Sequence, residues 1–232
     1  MAKRPKHIGI ILDGNRRFAK RLMLKPSMGH EWGAKKVEAL FDWCKELGIK
    51  ELTLYAFSIE NFNRPKEEFG YLMKLFNNEF NKMLKDEKIY KNQVKVNFIG
   101  RLDMFPNYLQ STMKKLTEAT KKHKNYIVNF AMAYGGRAEI IDAAKKMASA
   151  IKQNKIKLND VDEKLFARYL YTSSEPDLII RTSGEQRTSG FMIYQAAYAE
   201  WFFCSKMWPE FEKEDLMQAI ESYKSRERRY GR

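Results

Sequence analysis

Residues His7 to Arg17 read HIGIILDGNRR. His7 to Leu12 is a short apolar run, which reads as a first buried strand. It stops at Asp13-Gly14-Asn15, a turn that also suits a helix start. Open α/β sheets place their functional loops at the carboxyl ends of strands. This stretch therefore sets an expectation for the fold and for the position of a site.

Outward from it, short apolar runs alternate with longer helical periods, the pattern of an α/β fold with a central, mainly parallel β-sheet flanked by helices. Gly29 to Leu47 carries Val37, Leu40, Phe41, Cys44 and Leu47 at helical spacing, and Gly48 follows as a stop. Glu51 to Phe57 reads as a second strand, followed by the polar loop Ser58 to Asn61. A helix beginning near Pro65 carries the stripe Phe69, Leu72, Met73, Phe76, Phe80, Met83 and Leu84. Such a stripe packs a core or, given its aromatics and methionines, lines a channel for an oily ligand. Val94–Ile99, Ile127–Ala133, Leu178–Ile180 and Ala199–Phe203 read as further strands. Pro106–Thr120 and a segment after Gly136 read as helices, the latter with Ile140, Ala144, Met147, Ala148 and Ile151 on one face. A basic helix starts near Lys213 and ends at Arg229-Tyr230-Gly231. No repeat, linker or low-complexity tract divides residues 1–232, so a single domain is expected.

Hydrophobic residues make up 44% of the chain and charged residues 31%, which excludes a disordered polymer. The net charge of +14 points to an anionic partner: nucleic acid, phosphorylated metabolite or anionic membrane. Most of the lysines, such as Lys82, Lys85 and Lys88, sit among acids on helical patterns and read as a solvated face. Cys44 and Cys204 form no disulfide or metal pattern and read as core residues of a reducing compartment. No signal-peptide core and no run of about 18 apolar residues is present. A cytoplasmic protein is expected, with peripheral contact to a membrane surface allowed.

Three polar clusters follow strands: Asp13 to Arg17, Ser58 to Arg64, and Arg181 to Ser189. In the first, a glycine turn opening a helix exposes N–H groups that favour phosphate, and Arg16 and Arg17 add charge. Asp13 would repel a phosphate unless it holds Mg2+, which grips phosphate oxygens. The plain alternative is an N-cap aspartate beside solvated arginines. In the third, Arg181, Arg187 and Ser189 surround a glycine turn and form a second anion site; the plain alternative is an ordinary polar loop. Two such sites suggest two phosphorylated substrates and hence a transferase. His7 and His123 read as structural, and His30 as a phosphate contact. The chain carries no P-loop, no GxGxxG after a strand, no HExxH and no GxSxG elbow.

At these residues the chain resembles the cis-prenyltransferases, the undecaprenyl diphosphate synthase family. The resemblance rests on five motifs: His7 to Arg17, Leu54 to Pro65, Asp177 to Ser189, Gln195 to Glu200, and Arg226 to Gly231. Lys25 to Gly33, with Glu60 to Asn63, is most similar to archaeal members. The resemblance implies a fold with a hydrophobic substrate tunnel and condensation of isopentenyl diphosphate onto an allylic prenyl diphosphate. The implied primer is geranylgeranyl diphosphate, with farnesyl diphosphate second, and the product is near undecaprenyl length. It implies that Asp13 binds Mg2+ and acts at the allylic diphosphate, which Gly14, Asn15, Arg16 and Arg17 cradle. Phe18, His30, Ser58, Ile59, Glu60, Phe62, Arg64 and Thr188 are implied as further substrate-binding residues, with Ser58 close to Asn61. Arg181, Arg187 and Ser189 are implied for the diphosphate of isopentenyl diphosphate. Asn61 is implied in the loss of the proton, and Glu200, from a partner subunit of a homodimer, in placing Mg2+. The Arg229-Tyr230-Gly231 motif is implied to reach the partner's site. Pro26, Phe62, Gln186 and Gly190 depart from the bacterial pattern, and none of them removes an implied metal ligand.

Three other readings share parts of this sequence. A non-catalytic subunit would lack Asp13, Arg181 and Arg187. A nucleic-acid binder would carry a continuous basic stripe with stacking aromatics; the arginines cluster in loops instead, so no nucleic acid is expected. A prenyltransferase making an irregular linkage would share most of the motifs.

Overall fold

The computed structural model describes residues 4–226. Six strands form one sheet in the order β3-β4-β2-β1-β5-β6: β1 His7–Ile11, β2 Glu51–Ser58, β3 Val94–Ile99, β4 Tyr126–Tyr134, β5 Leu178–Arg181 and β6 Glu200–Phe203. Every neighbouring pair is parallel. The expected mainly parallel sheet is therefore parallel throughout. Each of β1's five residues is buried, with β2 on one side and β5 on the other. Continuous burial is what two helix-covered faces impose on a central parallel strand.

The helices are α1 Asn15–Arg21, α2 Pro26–Glu46, α3 Lys66–Lys85, α4 Glu87–Lys91, α5 Asn107–Thr120, α6 Gly136–Lys152, α7 Glu163–Tyr169 and α8 Lys213–Ser225. α2, α3 and α5 cover one face, over a core that includes Leu40, Leu54, Phe57, Leu72, Leu109 and Phe130. A second cluster, around Tyr55, Tyr134, Ile179 and Phe191, fills the other face. Cys44 and Cys204 are buried free thiols, as expected.

Several sequence boundaries move. α1 is a separate short helix between the Asp13 turn and α2. α2 begins at Pro26, three residues before the expected Gly29, because a proline at the first helical position lacks only an N–H that would be unpaired anyway. Pro65 is the N-cap of α3. α4 and α7 escaped the reading, although Asp86 and Asp162 cap them by accepting from the N–H groups of Lys88 and Leu165. The buried face of α6 is Gly136, Glu139, Ala143, Met147 and Ala150, and Ala144 and Ala148 face solvent. A carboxylate occupies that face, so counting apolar residues selects the wrong register. The Arg229-Tyr230-Gly231 motif lies outside the described residues.

Candidate active site

The three polar clusters meet because their strands are neighbours. β2, β1 and β5 lie side by side and end at the same edge of the sheet. Asp13 leaves β1 with its backbone held on two sides: Thr182 Oγ1 donates to the Asp13 carbonyl at 2.7 Å, and the Trp208 N–H donates to the same oxygen at 2.9 Å. Gly14 follows with φ +106°, and a Cβ there would lie 2.9 Å from Met207 Cβ, so the turn requires glycine.

The Asp13 carboxylate accepts from Arg181 Nη2 at 2.8 Å, and Arg17 Nη2 lies 3.2 Å from its other oxygen. Burial pushes this carboxyl upward, but the hydrogen bond from Arg181 and the charges of Arg17 and Arg181 outweigh it. The net result holds Asp13 below the usual carboxylate range, so it is an anion at neutral pH. The Arg181 side chain is only 4% exposed and also donates to Ser189 Oγ at 2.8 Å and to the Arg187 carbonyl. Glu185 joins the two clusters, accepting from Arg17 at 2.9 Å and pairing with Arg187.

On the other side of Asp13, His30, Arg64 and Arg16 converge on Glu68. His30 Nε2 lies 3.1 Å from Glu68 Oε1, Arg64 donates to the same oxygen, and Arg16 Nε stands 3.6 Å away. Burial is the main cause that lowers His30 below its ordinary value, against the raising effect of Glu68. His30 is therefore neutral at pH 7. Glu68 was not among the sequence candidates. Its signal was its place in the first turn of α3, where an acid complements the helix dipole.

A cavity of about 860 Å³ opens at this edge and runs between α2 and α3. Asp13, Ser58, Asn61, Arg64 and Arg181 stand at its mouth; Phe41, Leu72, Phe76, Phe80 and Met83 line its length. The α3 stripe thus divides its work. Phe69 and Met73 pack elsewhere, while the residues facing α2 line the channel. A second cavity of about 760 Å³ shares Asp13, Asn15, His30, Arg64 and Arg187 with the first and adds Gly14, Arg16, Arg17 and Lys20. The result is an oily channel with a cationic mouth around one aspartate, the shape of a site for a long apolar chain with an anionic head.

A family model described as "Putative undecaprenyl diphosphate synthase" matches residues 11–231. The chain belongs to the undecaprenyl diphosphate synthase family of cis-prenyltransferases. It is 49% identical over 231 residues to a tritrans,polycis-undecaprenyl-diphosphate synthase (geranylgeranyl-diphosphate specific) of Thermoplasma volcanium, covering 99% of this chain and 90% of that one. An enzyme of the same name from Pyrococcus horikoshii is 46% identical, over 98% of this chain and 87% of its own. The similarity to archaeal members is thus upheld. Among solved structures, lavandulyl diphosphate synthase from Lavandula x intermedia, in complex with dimethylallyl diphosphate, superposes with a TM-score of 0.94 at 34% identity, over 98% of each chain. A probable undecaprenyl diphosphate synthase from Campylobacter jejuni gives 0.81 at 30% identity, over 99% of this chain and 100% of that one.

Within this cis-prenyltransferase, the remaining sequence candidates divide. Asn15 donates to the Leu12 carbonyl at 3.2 Å, and its Oδ1 is buried without a partner. Asn61 Oδ1 accepts from the Ser58 N–H at 3.0 Å, so the amide caps its own turn at the channel mouth. Phe18 packs against Trp32 with ring centroids 5.1 Å apart, under the guanidinium of Arg21. Phe62 is wedged among Phe57, Phe69 and Phe105. Phe18 and Phe62 therefore support the site from behind, and Ile59 and Glu60 also line neither cavity. Thr188 and Ser189 lie on the exposed loop after Arg187. Glu200 opens β6 at the opposite edge of the sheet and pairs with Arg226 at 2.6 Å. It does not meet Asp13 within one chain.

Among the described residues no three carboxylate, histidine or cysteine groups gather into a metal cluster. No helix among them is long and apolar enough to cross a membrane.

Proposed function

We propose that this cis-prenyltransferase condenses isopentenyl diphosphate in cis onto geranylgeranyl diphosphate and repeats the step to a product near undecaprenyl length. The observation that carries the reading is the channel that starts between two cationic clusters and continues along the apolar face of α3. The first cluster, with Arg16, Arg17, Arg64 and His30, holds the allylic diphosphate. The second, with Arg181, Arg187 and Ser189, holds that of isopentenyl diphosphate. Geranylgeranyl diphosphate as primer is supported by the names of the archaeal relatives.

The reaction breaks the allylic C–O bond, and its electron pair leaves with the diphosphate. The π pair of isopentenyl diphosphate forms the new C–C bond at the allylic carbon, and a proton is lost from C2. Negative charge grows on the departing diphosphate, where preorganised arginine donors stabilise it more than they do the ground state. Asp13 suits Mg2+: it is an anionic, half-buried carboxylate at the channel mouth, and Mg2+ binds through one or two carboxylates plus substrate phosphates. Bound there, the ion would supply Lewis-acid stabilisation of the leaving group. Glu200 of a second subunit would complete the set in a homodimer. Asn61 is an amide and a poor base; it orients the proton-bearing carbon while the released diphosphate takes the proton.

The test is incubation of the purified protein with labelled isopentenyl diphosphate, Mg2+ and each allylic primer, beside an Asp13→Ala control. A ladder of long products, strongest with geranylgeranyl diphosphate and missing from the control, is expected. No extension with any primer overturns the reading; branched products would assign the irregular linkage instead.

A further inference from the structure

The last turn of β2 is irregular. Pairing with β4 slips between Tyr55 and Phe57 and again between Phe57 and Ser58. Bulges at the end of a strand re-aim side chains next to a site. Tyr55 is the last residue in regular register before the slips, and its side chain lies within the second core cluster, on the face opposite the channel's helices. Its ring is stacked on Phe191, with centroids 4.9 Å apart and planes 13° from parallel, and meets Tyr134 edge-on at 5.6 Å. The hydroxyl is shared between two carbonyls, that of Tyr134 at 3.2 Å and that of Ser189 at 3.4 Å.

The segment reached by this hydroxyl is unusual. Ser189, Gly190 and Met192 have φ of 48°, 72° and 47°, a region that side chains other than glycine rarely adopt. Strained backbone persists only where its surroundings hold it. Its holders come from several elements, among them Arg181 of β5, which donates to Ser189 Oγ at 2.8 Å. Besides the Tyr55 hydroxyl, the Gly136 N–H donates to the Gly190 carbonyl at 2.9 Å, and the Met192 N–H donates to the Tyr134 hydroxyl at 3.2 Å. That hydroxyl in turn donates to the buried carboxylate of Glu139.

We propose that Tyr55 is a positioning residue of the condensation: its hydroxyl ties β2, the strand that ends at Ser58, to the strained Ser189–Met192 segment and so sets the isopentenyl diphosphate cluster against the allylic one. The linkage is continuous, from Tyr55 to Ser189, to Arg181, to Asp13. Two diphosphates must be held at a fixed separation for the new bond to form, and a misplacement of about an ångström is costly. Burial raises the Tyr55 phenol, so it remains a neutral donor. The inference rests on the reading that Arg181, Arg187 and Ser189 bind isopentenyl diphosphate.

Tyr55→Phe keeps the stacked ring and removes the one hydroxyl. It should raise the KM for isopentenyl diphosphate by about five- to tenfold, with the allylic KM held within about twofold. Amide hydrogen exchange across residues 187–192 of the substrate-free protein should quicken. Tyr134→Phe, which removes the acceptor for the Met192 N–H, should move both readouts the same way. If both KM values are unchanged, or rise together, and exchange over residues 187–192 matches the parent, the inference is overturned. Arg187→Ala is run in parallel. If it leaves the isopentenyl diphosphate KM unchanged, the substrate assignment fails, and the exchange data alone then decide whether Tyr55 holds the segment.

Discussion

At the scale of single residues, the site is held by charges that restrain one another. Asp13 and Arg181 form its centre, one half-buried and the other almost wholly enclosed. Asp13→Asn keeps the shape and removes the negative charge. It should lower kcat by at least about 100-fold, the cost typical of losing a preorganised electrostatic partner. It should also destabilise the fold by about 2 kcal/mol, because a buried guanidinium loses its charged acceptor; product formation and urea unfolding check the two halves. His30 makes a different prediction. Its folded value lies below the ordinary 6.5, chiefly through burial, so the folded state prefers the neutral ring. That contribution to stability is complete above the ordinary value and is lost as pH falls through the folded one. His7 is lowered in the same way and adds to the same slope. Urea midpoints should therefore fall between about pH 7.5 and about pH 5, and His30→Gln should make that fall shallower. An identical slope in the variant would remove His30 from the account.

Helices and strands bring such residues together, and close approach makes some positions intolerant. α2 crosses α1 at Gly29, where a Cβ would lie 2.1 Å from the Asn15 carbonyl oxygen. Gly70, in α3, has nothing within 4 Å of the same added atom. Glycine to alanine in an open helix position stabilises by about 1 kcal/mol, so Gly70→Ala should raise the unfolding midpoint. Gly29→Ala should lower it, by about 1–3 kcal/mol of overpacking, and should raise the allylic KM because α1 carries Asn15 to Arg17. The contrast between sequence and structure is clearest at this scale. The turns after β1, β2 and β5 were legible because each polar cluster follows an apolar run. α4 and α7, with five and seven residues, are too short to show a helical period. Glu139 hid the true face of α6, since a buried carboxylate counts as an outward residue in any periodicity. Glu68 and the double pairing of Glu185 depend on how distant segments cross, which local spacing does not encode.

Across the whole molecule, positive charges exceed negative ones by fourteen, and the proposed diphosphate site has Arg16, Arg17, Arg64 and Arg187 at its mouth. Such a field steers anionic substrates to the site and is screened by salt. Raising NaCl from about 0.05 to about 0.5 M should lower kcat/KM for both diphosphates several-fold while kcat changes less; steady-state rates across the series check it. The strand order has a consequence for how the protein is made. β1 is translated near the start, but Arg181, which closes the site on Asp13, lies 168 residues later. At roughly 5–20 residues per second that interval lasts roughly 8–34 s. β2 covers one edge of β1 early, and the other edge waits for β5. A nascent chain therefore carries its aspartate and first arginines for most of its synthesis with neither the opposing guanidinium nor the second anion cluster. Its chemistry stays unassembled until β5 has been made, and until then the bare edge of β1 is where a folding chaperone has reason to bind.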